Sequence, residues 1–186
     1  MLVLASASPR RREILARFIR EFEVIPSNAS EECSLENPAE YALELARRKA
    51  REVHGRVGGT VIGADTVVSI DGHILGKPGS REEAFEMLRL LSGRVHQVTT
   101  GYCIIHGGDE LCGAVTTDVK FRELDDGIIW AYIDTGEPMD KAGAYGIQGK
   151  AGLFVEWIRG DYYNVVGFPL EIIWKLRELG FKVLSR

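Results

Sequence analysis

Ser6, Ser8, Arg10 and Arg11 fall within "LASASPRRREIL", residues 4–15, where a short apolar run gives way to three consecutive arginines. A helix beginning there would present unbonded N–H groups and the positive end of its dipole, a natural seat for an anion. Arginine forks beside it can grip phosphate oxygens in bidentate fashion. The plainer alternative is a Ser8 cap with a solvated arginine face. Positive charge at a helix N-terminus is mildly unfavourable, however, and an anion offsets it.

Three further clusters interrupt the apolar pattern. The polar loop "PSNASEECSLEN" offers Glu31 or Glu32, with Lys49 on the helix that follows. In "GADT", residues 63–66, an aspartate stands inside an apolar, β-branched run. Asp65 needs a partner if it is buried, and such a residue at a strand end serves as a base or a metal ligand. Gly63 also signals a bend, so a turn-closing aspartate is the alternative. "DTVVSIDG" is not a DxDxT pattern, so a nucleophilic Asp65 is not indicated.

The last cluster joins "GKP", residues 76–78, to "KAGAYGIQGKAG", residues 141–152. The second stretch fails as a P-loop, because five residues rather than four separate Gly143 from Gly149 and Ala151 stands where Ser or Thr is needed. Glycines still let backbone N–H groups approach a phosphate or base. Gln148 is the one side chain there that both donates and accepts, which suits a base edge.

The elements that must carry these residues are short and mixed. Residues 2–5 predict a strand, and Pro9 with Ile14, Leu15, Phe18 and Ile19 a helix. Residues 22–25 read as a strand. Asn37 and Pro38 open a helix to about residue 53. β-Branched residues on either side of a break at Gly63 lead to an Asp71-Gly72 hairpin turn. Ser80 and Glu83 form a capping box for a helix through residue 91. Strands are expected at 95–103, 110–121, 153–158 and 163–166, with helices at 126–133 and 169–179. This is an α/β pattern, and its hairpins exclude an all-parallel sheet.

Composition narrows the class. A chain of 186 residues can form one domain with a sizeable core. A net charge of −4 argues against a general nucleic-acid binder but leaves room for a local basic pocket. Cys33, Cys103 and Cys112 are an odd set without CxxC spacing, which argues against a disulfide framework or zinc site and for a reducing cytosol. The four histidines are scattered, and no apolar run approaches the roughly 20 residues that span a bilayer. The short N-terminal apolar run, with its arginines after it, does not read as a signal peptide. A soluble cytoplasmic protein with neither nucleic-acid nor membrane partner is expected.

Taken in order, the clusters resemble the Maf family of nucleotide pyrophosphatases. "LASASPRRREIL", "ARRKA", "GADTVV", "GKP", "LSGRVHQVTTG", "YIDTGEPMDKAGAYGIQGKAG" and "GDYYNVVGFPL" are similar to its motifs over nearly the whole chain. The resemblance implies a single Maf-like domain over residues 1–186. Its fold would be a central mixed β-sheet flanked by helices, an elongated body with a cleft between two lobes, of the Maf/Ham1, ITPase-like type and often a homodimer.

The resemblance also implies roles. Ser6, Arg10 and Arg11 would face a nucleoside triphosphate, and Lys49 and Lys77 would lie near its phosphates. Asp65 would be the general base. Glu31 and Asp65 would hold Mg²⁺ or Mn²⁺, which favours oxygen ligands. Arg11, Thr66 and Gln148 match positions that select the substrate. Thr after the aspartate and Gln in the glycine loop resemble the dTTP/UTP branch, whereas the 7-methyl-GTP branch typically carries Gln and Glu there. The expected reaction is metal-assisted water attack on the α-phosphate of dTTP, UTP or modified pyrimidine nucleotides, a house-cleaning hydrolysis. The alternative is a nucleotide-binding regulatory module in growth or division control, without turnover.

Overall fold

The computed structural model describes residues 1–184. The buried run Leu2–Leu4 forms strand β1, and Ser8 and Pro9 turn the chain into helix α1, Pro9–Phe18. Strand β2, Glu23–Val24, returns parallel to β1. A loop then leads to helix α2, Pro38–Val57, capped by the Asn37 side chain. Strand β3, Thr60–Ile70, turns at Asp71-Gly72 into β4, His73–Leu75. Helix α3, Arg81–Leu91, follows; the Ser80 hydroxyl accepts from Glu83 N, while the Glu83 carboxylate turns to Gly79 N.

Strands β5, Val95–His106, and β6, Asp109–Phe121, make the long hairpin. Helix α4, Asp126–Asp134, and three short 3₁₀ turns (Glu137–Asp140, Ala142–Ala144, Lys150–Phe154) lead to β7, Val155–Arg159. Helices α5, Tyr162–Val166, and α6, Glu171–Glu178, close the described chain. The result is a seven-stranded mixed sheet in the order β2-β1-β3-β5-β6-β7, with β4 also on β3, and helices against it.

Four expectations are corrected. Residues 163–166 belong to α5, not a strand: Asp161 accepts from Tyr163 N and Leu170 N, each at 2.7 Å, and so starts a helical turn in a β-branched, aromatic stretch. Residues 153 and 154 lie in a 3₁₀ turn ahead of β7. Gly63 does not break the chain but sits inside continuous β3, because α2 crosses so close that a Cβ there would lie 2.7 Å from Ala50 N. Finally, Cys103 and Cys112 are directly opposed in the β5–β6 register and joined as a disulfide. Strand register, not sequence spacing, pairs them.

Pairing along β3 creates an opening. On the edge away from β5, β1 covers residues 60–62 and β4 covers 68–70. Residues 63–67 have no strand neighbour on that edge among the described residues. Residues opposed in register share a face of the sheet. Val61, Cys103 and Ile105 pack with Ala50 and Val53 of α2, so Asp65, in step with Val61, faces α2. Ile62 and Ile104 pack with Ile14 and Leu15 of α1 and with α6, so Thr66 faces α1. Adjacent residues thus address helices on opposite faces beside one gap.

Candidate active site

At the start of α1 the Ser8 hydroxyl accepts from Arg11 N at 3.3 Å, and Ser8 N donates to Ser6 Oγ at 3.1 Å. The resulting turn aims Arg11 inward. Its Nε donates to Gly167 O at 2.8 Å, Nη2 to Thr66 Oγ1 at 3.0 Å and Nη1 to Ser6 Oγ at 3.4 Å. A guanidinium has five N–H donors, so two remain for a ligand. Burial lowers the Arg11 pKa, and the nearby Asp65 carboxylate opposes the shift. Arg10 lines the same cavity, whereas Arg12 is exposed and does not.

Helix α2 delivers Lys49 to the other face. Its Nζ lies 2.9 Å from Asp65 Oδ1 and 3.0 Å from Glu31 Oε1. The Lys49 and Asp65 side chains are each 14% exposed and Glu31 is 65% exposed, so one ammonium joins an inner carboxylate to an outer one. Burial pushes the Asp65 pKa up against the pull of Lys49. The Lys49 hydrogen bond holds the Glu31 pKa down. The loop choice between Glu31 and Glu32 falls to Glu31. Arg48 Nη1 donates to Ser30 O and Glu32 O, at 3.3 and 2.5 Å, and Arg48 is itself tied to Glu44 at 2.8 Å.

These groups line one cavity of about 820 Å³, within the size range of small-molecule sites. Ser6, Arg10, Arg11, Glu31, Lys49, Asp65, Thr66, Lys77 and Gln148 all lie on its wall. Asp65 is not at a strand end, as expected, but mid-strand at the pairing gap. The sequence reading missed Glu137, Asp140 and Lys141, which also line the cavity. Lys141 Nζ donates to Asp140 Oδ1 at 2.8 Å and to Glu137 O at 3.0 Å. Their signal was the charged run "EPMDK" entering the glycine-dense stretch, but no periodicity points it anywhere.

Two carboxylates thus stand among arginines and lysines in one cavity, an arrangement whose charge suits a polyanion. The family model for Maf-like protein matches residues 1–178, and the chain belongs to that family. It is 82% identical over 184 residues to a dTTP/UTP pyrophosphatase of Thermococcus onnurineus (strain NA1), covering 99% of this chain and 100% of that one. To the dTTP/UTP pyrophosphatase of Pyrococcus horikoshii it is 55% identical, with 98% of each chain covered. A solved structure of the Staphylococcus aureus Ham1 protein aligns with 64% of this chain and 71% of its own at 17% identity, TM-score 0.46.

Proposed function

We propose that the chain is a nucleoside triphosphate pyrophosphatase that hydrolyses dTTP and UTP to the monophosphate and pyrophosphate. The observation that carries this reading is the Asp65–Lys49–Glu31 cluster on the cavity that also holds Arg10, Arg11 and Lys77. The names of the highly identical relatives support the substrate.

Charge assigns the parts. A nucleoside triphosphate brings about four negative charges, and Arg10 and Arg11 from one segment and Lys77 from another offset them. A water attacks the α-phosphorus while Asp65 takes its proton. The bond to the α,β-bridging oxygen breaks, and its electron pair leaves with pyrophosphate. Burial, which raises the Asp65 pKa, makes it a better base than an exposed aspartate, and Lys49 holds its carboxylate in place.

The residues fit a divalent cation. Asp65 and Glu31 both line the cavity and each spends one oxygen on Lys49, so each keeps a second carboxylate oxygen as a hard donor. Mg²⁺ is commonly held by one or two carboxylates together with substrate phosphates. Mg²⁺ or Mn²⁺ would there supply charge neutralisation and a more acidic water.

Thr66 and Gln148 would read the base. Uracil and thymine offer one N–H between two carbonyls, and a carboxamide can meet a donor–acceptor pair of that edge. Cytosine reverses the pattern, so a site built for uracil leaves polar groups unpaired against it. The reading includes a single-domain cytoplasmic enzyme, since nucleoside triphosphate pools lie in the cytoplasm. No helix among the described residues is long and apolar enough to cross a membrane. The net charge of −4 speaks against a nucleic-acid partner, and the family resemblance for a homodimer.

The test is a panel of dTTP, UTP, CTP, GTP and ATP with Mg²⁺ or Mn²⁺, scored for pyrophosphate against phosphate. Pyrophosphate from dTTP and UTP, with the others poor, is expected. Release of phosphate would remove the α-phosphorus attack, and equal kcat/KM across the bases would remove the specificity.

A further inference from the structure

Gln148 stands on an exposed turn, and its side chain makes no hydrogen bond within the protein among the described residues. Whatever fixes its pose must act through the backbone of the turn. That backbone is held at both ends. Gly146 N donates to the Tyr132 hydroxyl at 3.3 Å, and Lys150 N donates to Glu137 Oε2 at 3.2 Å. The two anchors are one unit, because the Tyr132 hydroxyl donates to Glu137 Oε1 at 3.3 Å. Tyr132 is buried, its ring set edge-on against Phe154 with centroids 5.0 Å apart. Gly149 N closes the turn onto Gly146 O at 3.0 Å, with Gln148 between them.

The glycines flanking Gln148 agree with this arrangement. A Cβ on Gly149 would run into the Glu137 carboxylate, with Oε2 at 2.9 Å. One on Gly146 would lie 2.8 Å from Lys141 Cε. The backbone of Gly149 is extended, at φ −90°, so a side chain there would displace the Glu137 carboxylate rather than strain the backbone.

We propose that Glu137 and Tyr132 act as a positioning clamp that sets base selectivity by fixing the turn that presents Gln148. The proposal rests on the reading of Gln148 as the base-facing residue. Discrimination by hydrogen bonds requires the polar group to be held within about 0.5 Å of its working position. A loose turn must be ordered when the base binds, which weakens the matched complex. A base that never pairs with Gln148 has nothing to lose. Removing the Glu137 charge from a polyanion site would change binding of every triphosphate alike, so the ratio between bases isolates the clamp.

The experiment begins with the wild-type ratio of kcat/KM for dTTP over CTP. A flat wild-type ratio overturns the base-facing reading of Gln148, and the inference with it, before any variant is compared. Glu137→Ala is then expected to cut the ratio by about tenfold or more, chiefly through KM for dTTP. Tyr132→Phe preserves the buried ring and should act in the same direction. The double variant should lose little more than Glu137→Ala alone, as members of one unit do. Hydrogen exchange at the amides of Gly146 and Lys150 should quicken in each variant. An unchanged ratio in both single variants, equal losses for dTTP and CTP, or unaltered exchange would each overturn the clamp. Tyr132→Phe decides the matter if Glu137→Ala does not fold.

Discussion

Lys49 Nζ lies 2.9 Å from Asp65 Oδ1, deep enough that both side chains are largely withdrawn from solvent. The pairing holds Asp65 through Oδ1 and leaves Oδ2 outside that ion pair. If Asp65 takes the proton of the attacking water, Asp65→Asn should lower kcat by ~10²–10⁴-fold. Asparagine keeps an acceptor for Lys49, so the helix contact should survive. In the absence of divalent metal dTTP should bind at least as tightly, because the substitution removes a negative charge facing a polyanion. Single-turnover rates alongside a binding titration check both halves, and a near-normal rate would sink the base assignment.

Divalent metal should be essential. Glu31 and Asp65 share Lys49, yet each retains a second carboxylate oxygen, and both residues line the cavity that holds the cationic side chains. Excess chelator should abolish pyrophosphate release, and Mg²⁺ or Mn²⁺ should restore it. Glu31→Gln should raise the metal concentration needed for half-maximal rate, because one anionic ligand is lost. Full activity in chelator would take the metal out of the reaction.

Much of this site was legible before the fold was known, for local reasons. An apolar strand, a serine cap, a proline at the first helical position and a run of arginines can be read from adjacent residues. An aspartate within a β-branched run stands out in the same way. What escaped depended on contacts distant in sequence. Gly63 reads as a bend, yet it is a flat strand position kept bare for Ala46 and Ala50 of α2. Glu31 and Glu32 are equivalent until Arg48 fixes the carbonyls on either side of Glu31. Tyr162–Val166 has strand composition, and the Asp161 side chain, accepting from Tyr163 N and from the more distant Leu170 N, coils it. Glu137 has no periodic signal because it works from a turn.

His96 gives the fold an acid sensitivity. Its ring is fully buried, with Nε2 2.6 Å from the Tyr145 hydroxyl and Nδ1 without a partner among the described residues. Burial lowers its pKa from 6.5 to about 4. Between those values the unfolded chain binds a proton that the fold refuses, so stability rises with pH there. The contribution is complete above pH 6.5 and falls as pH drops toward 4, a loss of about 3 kcal/mol. Denaturant midpoints from pH 7 to 4.5 should show the decline, and His96→Gln should flatten it. Parallel curves for the two proteins would exclude His96 as its source.

The Cys103–Cys112 bridge should be visible in solution. Alkylation of the unreduced, denatured protein should label Cys33 alone, and reduction should expose all three thiols. A hairpin closed by a disulfide gains about 2–4 kcal/mol. Cys112→Ala should therefore lower Tm without altering the dTTP over CTP ratio, since the bridge lies on the β5–β6 hairpin and not on the cavity wall. Three labelled cysteines before reduction would refute the bridge.

Gly63 connects packing to chemistry most directly. A Cβ there would sit 2.7 Å from Ala50 N and 3.0 Å from Ala50 Cβ, so α2 must move outward to admit it. Overpacking of this kind costs about 1–3 kcal/mol. In a chain of this size each kcal/mol lowers Tm by about 2–4 °C. Lys49 immediately precedes Ala50, so the shift that relieves the clash also draws Nζ away from Asp65. Gly63→Ala should thus lose kcat as well as Tm. Gly72→Ala, at a distant turn with open space around it but φ of +77°, should lose Tm alone. Thermal denaturation and turnover of the two variants decide between them. If Gly63→Ala is destabilised yet turns over normally, the spacing of α2 from β3 does not set the position of Lys49.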